Sequence, residues 1–189
     1  LGSIAQRMII NFCGDSFCRS TATHAWTTLL ANKLDACILG LGKSGTAHEH
    51  AFQTFDLNAN YTIFCWTEPH RLYHPTHAIN MAKCDDFKDS DPVYHTAYNY
   101  YKHIHNWDYM VQLQNREFYW FDNEVLSKYK GVAVHLYSFY VPKYKFKHGH
   151  DTRHSLSQYI SDKEYANHMS EEHNKQLASY VYHKIVKNA

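Results

Sequence analysis

The residues best suited to chemistry are Asp15 and Ser16, in the segment Asn-Phe-Cys-Gly-Asp-Ser-Phe-Cys at positions 11 to 18. An apolar run precedes them and a helical pattern follows, so both fall at a sharp turn between a strand and a helix. Such a turn lifts a serine hydroxyl out of the fold, and the first amides of the helix point toward whatever the hydroxyl attacks. An exposed nucleophile beside oxyanion donors is suited to acyl transfer. The alternative is that Asp15 or Ser16 only caps the helix.

A histidine near the end of the chain could supply the general base. His168 precedes a segment in which Ser170 is suited to cap a helix, while Glu171 and Glu172 suit the positive end of the helix dipole. That helix would fix the loop that carries the imidazole. The chain contains 16 histidines, and His154 is the second candidate for the base.

The elements that must position these side chains alternate between strands and helices. Four apolar runs predict strands, at residues 7–13, 35–42, 61–66 and 132–139. Helical spacing is found over residues 19–34, 46–55 and 94–129 and after Ser170, whereas residues 145–167 look irregular. Strands separated by helices favour a mostly parallel sheet covered on both faces, that is, a three-layer α/β/α, flavodoxin-like fold.

Polar or glycine-rich residues follow the first three predicted strands. They are Asp15-Ser16, the segment from Gly42 to Gly45, and Thr67-Glu68. Ligands bind beyond the carboxyl ends of the strands in such sheets. We therefore expect these three segments to converge on one edge.

Length, composition and charge limit the function classes. The 189 residues suit a single domain over positions 1–189, and the formal net charge of +1 gives no general attraction to nucleic acid. No apolar run approaches the roughly 20 residues of a membrane-spanning helix. No secretory signal is recognisable, so a cytoplasmic location is the default expectation. The oligomeric state is left open.

The chain resembles the GDSL, or SGNH, hydrolase family over nearly its full length. The family's three relevant blocks are matched by Gly14-Asp15-Ser16-Phe17, Gly42-Lys43-Ser44-Gly45-Thr46 and His168-Met169-Ser170-Glu171-Glu172. The resemblance implies a serine esterase or acyl hydrolase that needs no cofactor. It implies Ser16 as the nucleophile, His168 as the general base, and the amides of Ser16 and Gly45 as oxyanion donors.

Two positions depart from the family pattern. The asparagine that completes the family's oxyanion hole is replaced after the third strand by Thr67, whose hydroxyl can also donate a hydrogen bond. The family's aspartate stands three residues before the histidine, a place without an aspartate here. Asp162 is the first substitute and Asp151 the second. Asp151 and His154 form a literal Asp-x-x-His, but only His168 is followed by the helix that the family places there.

The aromatic composition bears on the substrate. The chain has 16 tyrosines and 4 tryptophans. We expect the segment 70–130 to form much of a cleft wall, although aromatic residues also fill cores. An aromatic, uncharged cleft suits a small-molecule or carbohydrate ester with a short acyl or acetyl group.

Three other interpretations use the same sequence. Gly42-Lys43-Ser44 resembles the end of a phosphate-binding loop, but Cys37 stands where that loop needs a glycine. A non-catalytic carbohydrate-binding module could have the same fold. A metal-dependent hydrolase could use a histidine cluster, either His70, His74 and His77 or His148, His150 and His154.

Overall fold

The structure is a computed structural model that describes residues 7–161 and 166–186. At its centre is one sheet of five strands, β1 (Met8–Gly14), β2 (Ala36–Gly40), β3 (Tyr61–Trp66), β4 (Val132–Tyr137) and β5 (His150–Ser155). Every pairing is parallel, in the order β2-β1-β3-β4-β5. The predicted three-layer α/β/α, flavodoxin-like fold is confirmed.

The described residues form six α-helices. They are α1 (Trp26–Lys33), α2 (Glu49–Thr54), α3 (Met81–Phe87), α4 (Pro92–His103), α5 (Trp107–Trp120) and α6 (Glu171–Val186). Alternate side chains of a strand point to opposite faces of the sheet. Side chains such as Ile10 and Ile63 therefore pack with α1 and α6, whereas Cys13 and Phe64 pack with α2 and α5. None of the described helices is long and apolar enough to span a membrane.

Capping residues set the helix boundaries. Asp91 accepts hydrogen bonds from amides that begin α4, and Asn106 accepts one from an amide in the first turn of α5. The cap at Asn106 divides the helical region 94–129, for which the sequence predicts one long helix or two, into α4 and α5. Ser170 Oγ accepts a hydrogen bond from the His173 amide at 3.1 Å, so Ser170 caps α6 as predicted.

The start of α1 depends on a contact with the last helix. The sequence predicts helix from residue 19, but α1 begins at Trp26. The Trp26 amide donates to Asn174 Oδ1 of α6 at 2.8 Å. A side chain 148 residues away thus satisfies an amide that begins α1.

The strand β5 was not predicted, because it lies in the region 145–167 that looks irregular. Its six residues are polar and all half-buried, so they show no apolar alternation. Pairing with β4 places Asp151 opposite His135, and the Thr152 hydroxyl donates to the His135 carbonyl at 2.7 Å. Hydrogen bonds to β4 at the edge of the sheet, rather than burial of an apolar face, therefore hold β5 in place.

The strand order reverses at β1, since the chain leaves β1 for β2 on one side and returns to β3 on the other. In sheets of this kind the crevice at the reversal point is the usual ligand site. The turn at Ser16, the loop Gly42 to Gly45 and the residue Thr67 all follow strands that end at this edge, as expected.

Candidate functional site

A buried aspartate organises the turn after β1. Asp15 is 0% exposed, and its Oδ1 accepts hydrogen bonds from the Phe17 amide at 3.0 Å and the Ser138 hydroxyl at 2.8 Å. Asp15 thereby caps the short 3-10 turn that begins at Ser16, so the capping alternative is correct for Asp15. Ser16 is half-buried, and its hydroxyl makes no hydrogen bond within the described residues. Capping by Asp15 leaves the Ser16 hydroxyl available for chemistry.

The glycine-rich loop after β2 packs directly against this turn. The Lys43 amide donates to the Gly14 carbonyl at 2.9 Å. The approach is so close that a Cβ at Gly42 would lie 2.2 Å from the Asp15 carbonyl oxygen, so only glycine fits. The same loop carries Gly45, whose amide has no hydrogen-bond partner in the described part of the chain.

The turn that carries His168, just before α6, packs on the Ser16 turn. Asn167 Oδ1 accepts a hydrogen bond from the Ser20 amide at 2.8 Å. The centroid of the His168 ring lies 5.3 Å from that of the Phe17 ring. The His168 side chain is exposed, and no hydrogen bond joins it to Ser16. The structure therefore brings the two residues into one neighbourhood without a direct bond between them.

The backbone at His168 has an uncommon conformation. Asn167 and His168 have left-handed φ angles of 56° and 63°. Non-glycine residues adopt such angles infrequently, and only where surrounding contacts impose them. Here the Ser161 amide donates to the His168 carbonyl at 3.0 Å, and the Met169 side chain is fully buried. These contacts hold the His168 backbone in place.

A buried arginine balances the charge of Asp15. Arg71 Nη1 lies 3.8 Å from Asp15 Oδ2, and Arg71 Nε and Nη2 donate to Glu68 Oε1 at 3.1 and 3.0 Å. Burial raises the pKa of Asp15, while the Arg71 charge, the Phe17 amide and the Ser138 hydroxyl oppose that rise. The arginine therefore sits between two carboxylates at the end of β3.

Thr67 follows β3 as predicted, but its side chain is turned into the protein. It is 2% exposed, and its hydroxyl oxygen has no hydrogen-bond partner among the described residues. The hydroxyl is close enough to the Asp15 carboxyl to help oppose the rise of its pKa, although the two groups do not form a hydrogen bond of normal geometry. The Gln114 side chain donates to the Thr67 carbonyl at 3.0 Å. This placement favours contact with Asp15 over contact with a substrate.

The structure does not join Asp151 to His168. Asp151 Oδ1 accepts a hydrogen bond from the Tyr137 hydroxyl at 2.7 Å, and Oδ2 accepts one from the Phe146 amide at 3.0 Å. The Asp151 carboxylate is therefore held by groups of β4 and of the segment before β5, away from the His168 imidazole. Asp162, the other predicted acid, lies outside the described residues.

The remaining predicted histidines have other partners. A ring nitrogen of His154 lies 3.0 Å from the Tyr159 hydroxyl, and the ring stacks on Tyr180 at 4.8 Å. Within residues 7–161 and 166–186, neither predicted cluster gathers three ligand atoms close together. The two clusters are His70, His74 and His77, and His148, His150 and His154.

A cavity of about 730 Å³ opens beside the buried arginine. It is lined by charged and aromatic side chains, among them Glu68, Arg71, Tyr98 and Tyr101. Asn80 also lines the cavity, and its side-chain nitrogen Nδ2 lies 3.9 Å from where a Cβ of Gly45 would be. The cavity therefore adjoins the glycine-rich loop that packs on the Ser16 turn.

Sequence reasoning missed two residues of this site, Ser138 and Arg71. Ser138 directly follows β4, but the predicted strand 132–139 runs past β4 and includes Ser138, so the strand-end rule that selected Ser16 and Thr67 did not select it. Arg71 gave no such signal, because it lies several residues beyond the end of β3.

No protein-family model, curated protein or solved structure matches this chain. The functional interpretation therefore depends on the motifs of the sequence and on the geometry around Ser16 and His168.

Proposed function

We propose that the protein is a serine esterase or acyl hydrolase, with Ser16 as the nucleophile and His168 as the general base. The observation that carries the proposal is the packing of the two turns that hold these residues. They meet at the carboxyl edge of a parallel sheet, where ligands usually bind. The unbonded hydroxyl of Ser16 and the exposed side chain of His168 are both free to reach a substrate.

The reaction would proceed in two stages. Ser16 Oγ attacks the ester carbonyl carbon while His168 takes the hydroxyl proton, and the imidazolium then gives that proton to the departing alkoxide. This releases an alcohol and leaves the acyl group on Ser16. His168 then takes a proton from water as that water attacks the acyl carbon. The bond from the acyl carbon to Ser16 Oγ breaks, the acid is freed, and the imidazolium returns the proton to Ser16.

Two backbone amides are proposed to stabilise the tetrahedral oxyanion, those of Ser16 and Gly45. Neither makes a hydrogen bond within the described residues, and the Lys43–Gly14 bond keeps their two loops together. Fixed donors of this kind cost no reorganisation when charge develops. The Thr67 hydroxyl stays a third candidate, and its burial against Asp15 argues for a small contribution.

Asp162 is proposed to orient the His168 imidazole, since the Asp151 carboxylate already accepts hydrogen bonds from Tyr137 and Phe146. The matched pair Asp162→Asn and Asp151→Asn tests this assignment. We expect the first to lower kcat and the second to leave it nearly unchanged. Equal, mild effects would instead indicate a Ser-His dyad without an acid.

The cavity beside Arg71 bears on the substrate class. Tyrosine rings offer flat apolar faces, and the Glu68–Arg71 pair offers hydrogen-bonding groups for hydroxyls. We propose short-chain acyl or acetyl esters as substrates, including those carried on carbohydrate.

The deciding experiment compares Ser16→Ala with Ser44→Ala, a half-buried serine of the neighbouring loop. Ser16→Ala should abolish hydrolysis of p-nitrophenyl acetate and labelling by a fluorophosphonate, whereas Ser44→Ala should keep both. Normal turnover in a folded Ser16→Ala protein would overturn the proposal. Activity that a chelator removes would indicate a metal-dependent hydrolase. A wild-type protein that binds sugar esters without turnover or labelling would indicate a carbohydrate-binding module.

A further inference from the structure

A buried histidine lies between two glutamates that the proposed reaction does not use. His48 is 3% exposed and immediately precedes α2, which begins with Glu49, while Glu117 lies on α5. Among the described residues, these three form the only group of histidine, cysteine and carboxylate side chains whose ligand atoms all lie within 4.8 Å of one another. The proposed esterase reaction does not explain why these three side chains lie together.

One ring nitrogen of His48 is bonded and the other is not. Nε2 lies 2.5 Å from Glu117 Oε2, so Nε2–H donates to this carboxylate. Nδ1 is buried and has no hydrogen-bond partner in the described part of the chain. Donation through Nε2 leaves a lone pair on Nδ1. A carboxylate that accepts the second N–H of an imidazole is the usual support of metal-binding histidines.

The unpartnered nitrogen faces an unpartnered oxygen. Nδ1 of His48 lies 3.7 Å from Glu49 Oε2, which is also buried without a partner among the described residues. This distance is too long for a hydrogen bond, so a proton on Nδ1 would leave both atoms unsatisfied. Two ligands of one zinc ion, each about 2.0–2.2 Å from the metal, lie up to about 4 Å apart. The separation therefore fits two ligands of the same ion.

We propose that His48 Nδ1 and the Glu49 carboxylate bind a divalent transition-metal ion of the Zn²⁺ type, with Glu117 orienting the imidazole. Imidazole together with carboxylate favours such ions over Ca²⁺ and Mg²⁺, which prefer oxygen ligands alone. The ion would bridge two adjacent residues at the start of α2, and the hydrogen bond from His48 to Glu117 connects this site to α5. This inference does not depend on the proposed esterase activity.

The surroundings of His48 suit such a site. The rings of Phe52 and Phe118 lie edge-on to the imidazole at 5.7 and 5.5 Å and fix its plane. The side chains of Glu49 and Glu117 are 33% and 31% exposed, so the group lies close to the protein surface.

Zinc titration of chelator-treated protein tests the proposal, by calorimetry and by the melting temperature. We expect one Zn²⁺ per chain, a raised Tm and no comparable binding of Ca²⁺. Glu49→Gln should abolish measurable binding, and Glu117→Gln should weaken it by about 10- to 100-fold. Glu124→Gln, at an exposed glutamate, is the matched control and should bind zinc like the wild type.

A second set of variants distinguishes zinc binding at this site from zinc binding by surface histidines. The ring nitrogens of His74 and His77 lie 3.2 Å apart and are the natural competing zinc site. Binding that survives Glu49→Gln but is lost in the double variant His74→Ala/His77→Ala would overturn the proposal, as would a wild type that binds no zinc. Should Glu49→Gln fail to fold, Glu49→Asp keeps the charge but shortens the side chain, and it should weaken binding measurably.

Discussion

The Ser138 hydroxyl donates a 2.8 Å hydrogen bond to Asp15 Oδ1 and so joins the end of β4 to the turn after β1. The strand β3 lies between these two strands, so the bond reaches across the edge of the sheet at which β3 ends. The same carboxylate oxygen also accepts from the Phe17 amide. The position of Ser16 is therefore fixed both by its own turn and by a strand two places away.

Ser138→Ala should destabilise the protein by about 1–3 kcal/mol, because a buried carboxylate loses a donor. Urea unfolding measures the change. Ser127→Ala is the control, since Ser127 is exposed and bonds only to a nearby carbonyl. It should stay within about 0.5 kcal/mol of the wild type. Wild-type stability in Ser138→Ala would show that the hydrogen bond is not needed to hold the turn.

His168→Ala should lower kcat for a small ester by about 10⁴-fold or more, as loss of a general base does in serine hydrolases. His154→Ala is the matched control and should change kcat little, because His154 contacts Tyr159 and Tyr180 instead. Steady-state kinetics with p-nitrophenyl acetate makes the comparison. The reverse order of effects would move the proposed base to His154.

Thr67→Val should change kcat by less than about 10-fold, whereas loss of a true oxyanion donor costs about 10²- to 10³-fold. The reason is that the Thr67 hydroxyl is buried and faces Asp15. Steady-state kinetics should find KM unchanged as well. A fall of 10²-fold or more in kcat alone would instead place this hydroxyl in the oxyanion hole.

Acid should destabilise the protein through His135. Burial lowers the pKa of this fully buried histidine to about 4. Its neutral ring accepts a hydrogen bond from Trp66 Nε1 and donates one to the His148 carbonyl, both at 3.0 Å. As the pH falls from about 6.5, the unfolded chain takes up the proton first, so stability is lost until the pH reaches the folded pKa. The loss over this window should be about 3 kcal/mol.

The matching measurement is the free energy of unfolding between pH 7 and pH 4. A glutamine at this position can accept and donate the same two hydrogen bonds but does not titrate. The free energy of unfolding of His135→Gln should therefore fall by about 3 kcal/mol less than that of the wild type over this pH range. His103→Gln, at an exposed position of α4, should follow the wild-type curve. Parallel curves for His135→Gln and the wild type would contradict the assignment.

The sheet edge was predictable because three strands are strongly apolar. Their ends could be read from runs such as Tyr61–Trp66, and parallel pairing then brings Ser16, Gly45 and Thr67 to the same edge. The cap at Ser170 was equally visible, since capping depends on a few neighbouring residues. Local patterns thus predicted both the fold class and the place of the candidate site.

What sequence reasoning missed depends on contacts between distant residues. The strand β5 is polar and is held by pairing with β4, so periodicity does not reveal it. Whether Thr67 faces a substrate or Asp15 is decided by side-chain packing at the edge, and the strand pattern carries no information about it. The partners of Asp151 likewise come from Tyr137 and Phe146, which no Asp-x-x-His spacing could indicate.

The contact between Trp26 and Asn174 has a consequence for biosynthesis. The residues that carry the proposed nucleophile emerge from the ribosome before α6 and the turn with His168, which follow all five strands in the chain. The Trp26 amide is satisfied only when Asn174 arrives. On the proposed mechanism, a nascent chain would therefore expose the serine without its base until α6 docks. Under this proposal, a chain stalled before α6 would carry the nucleophile without a general base, so ester turnover would serve as a readout that α6 has docked.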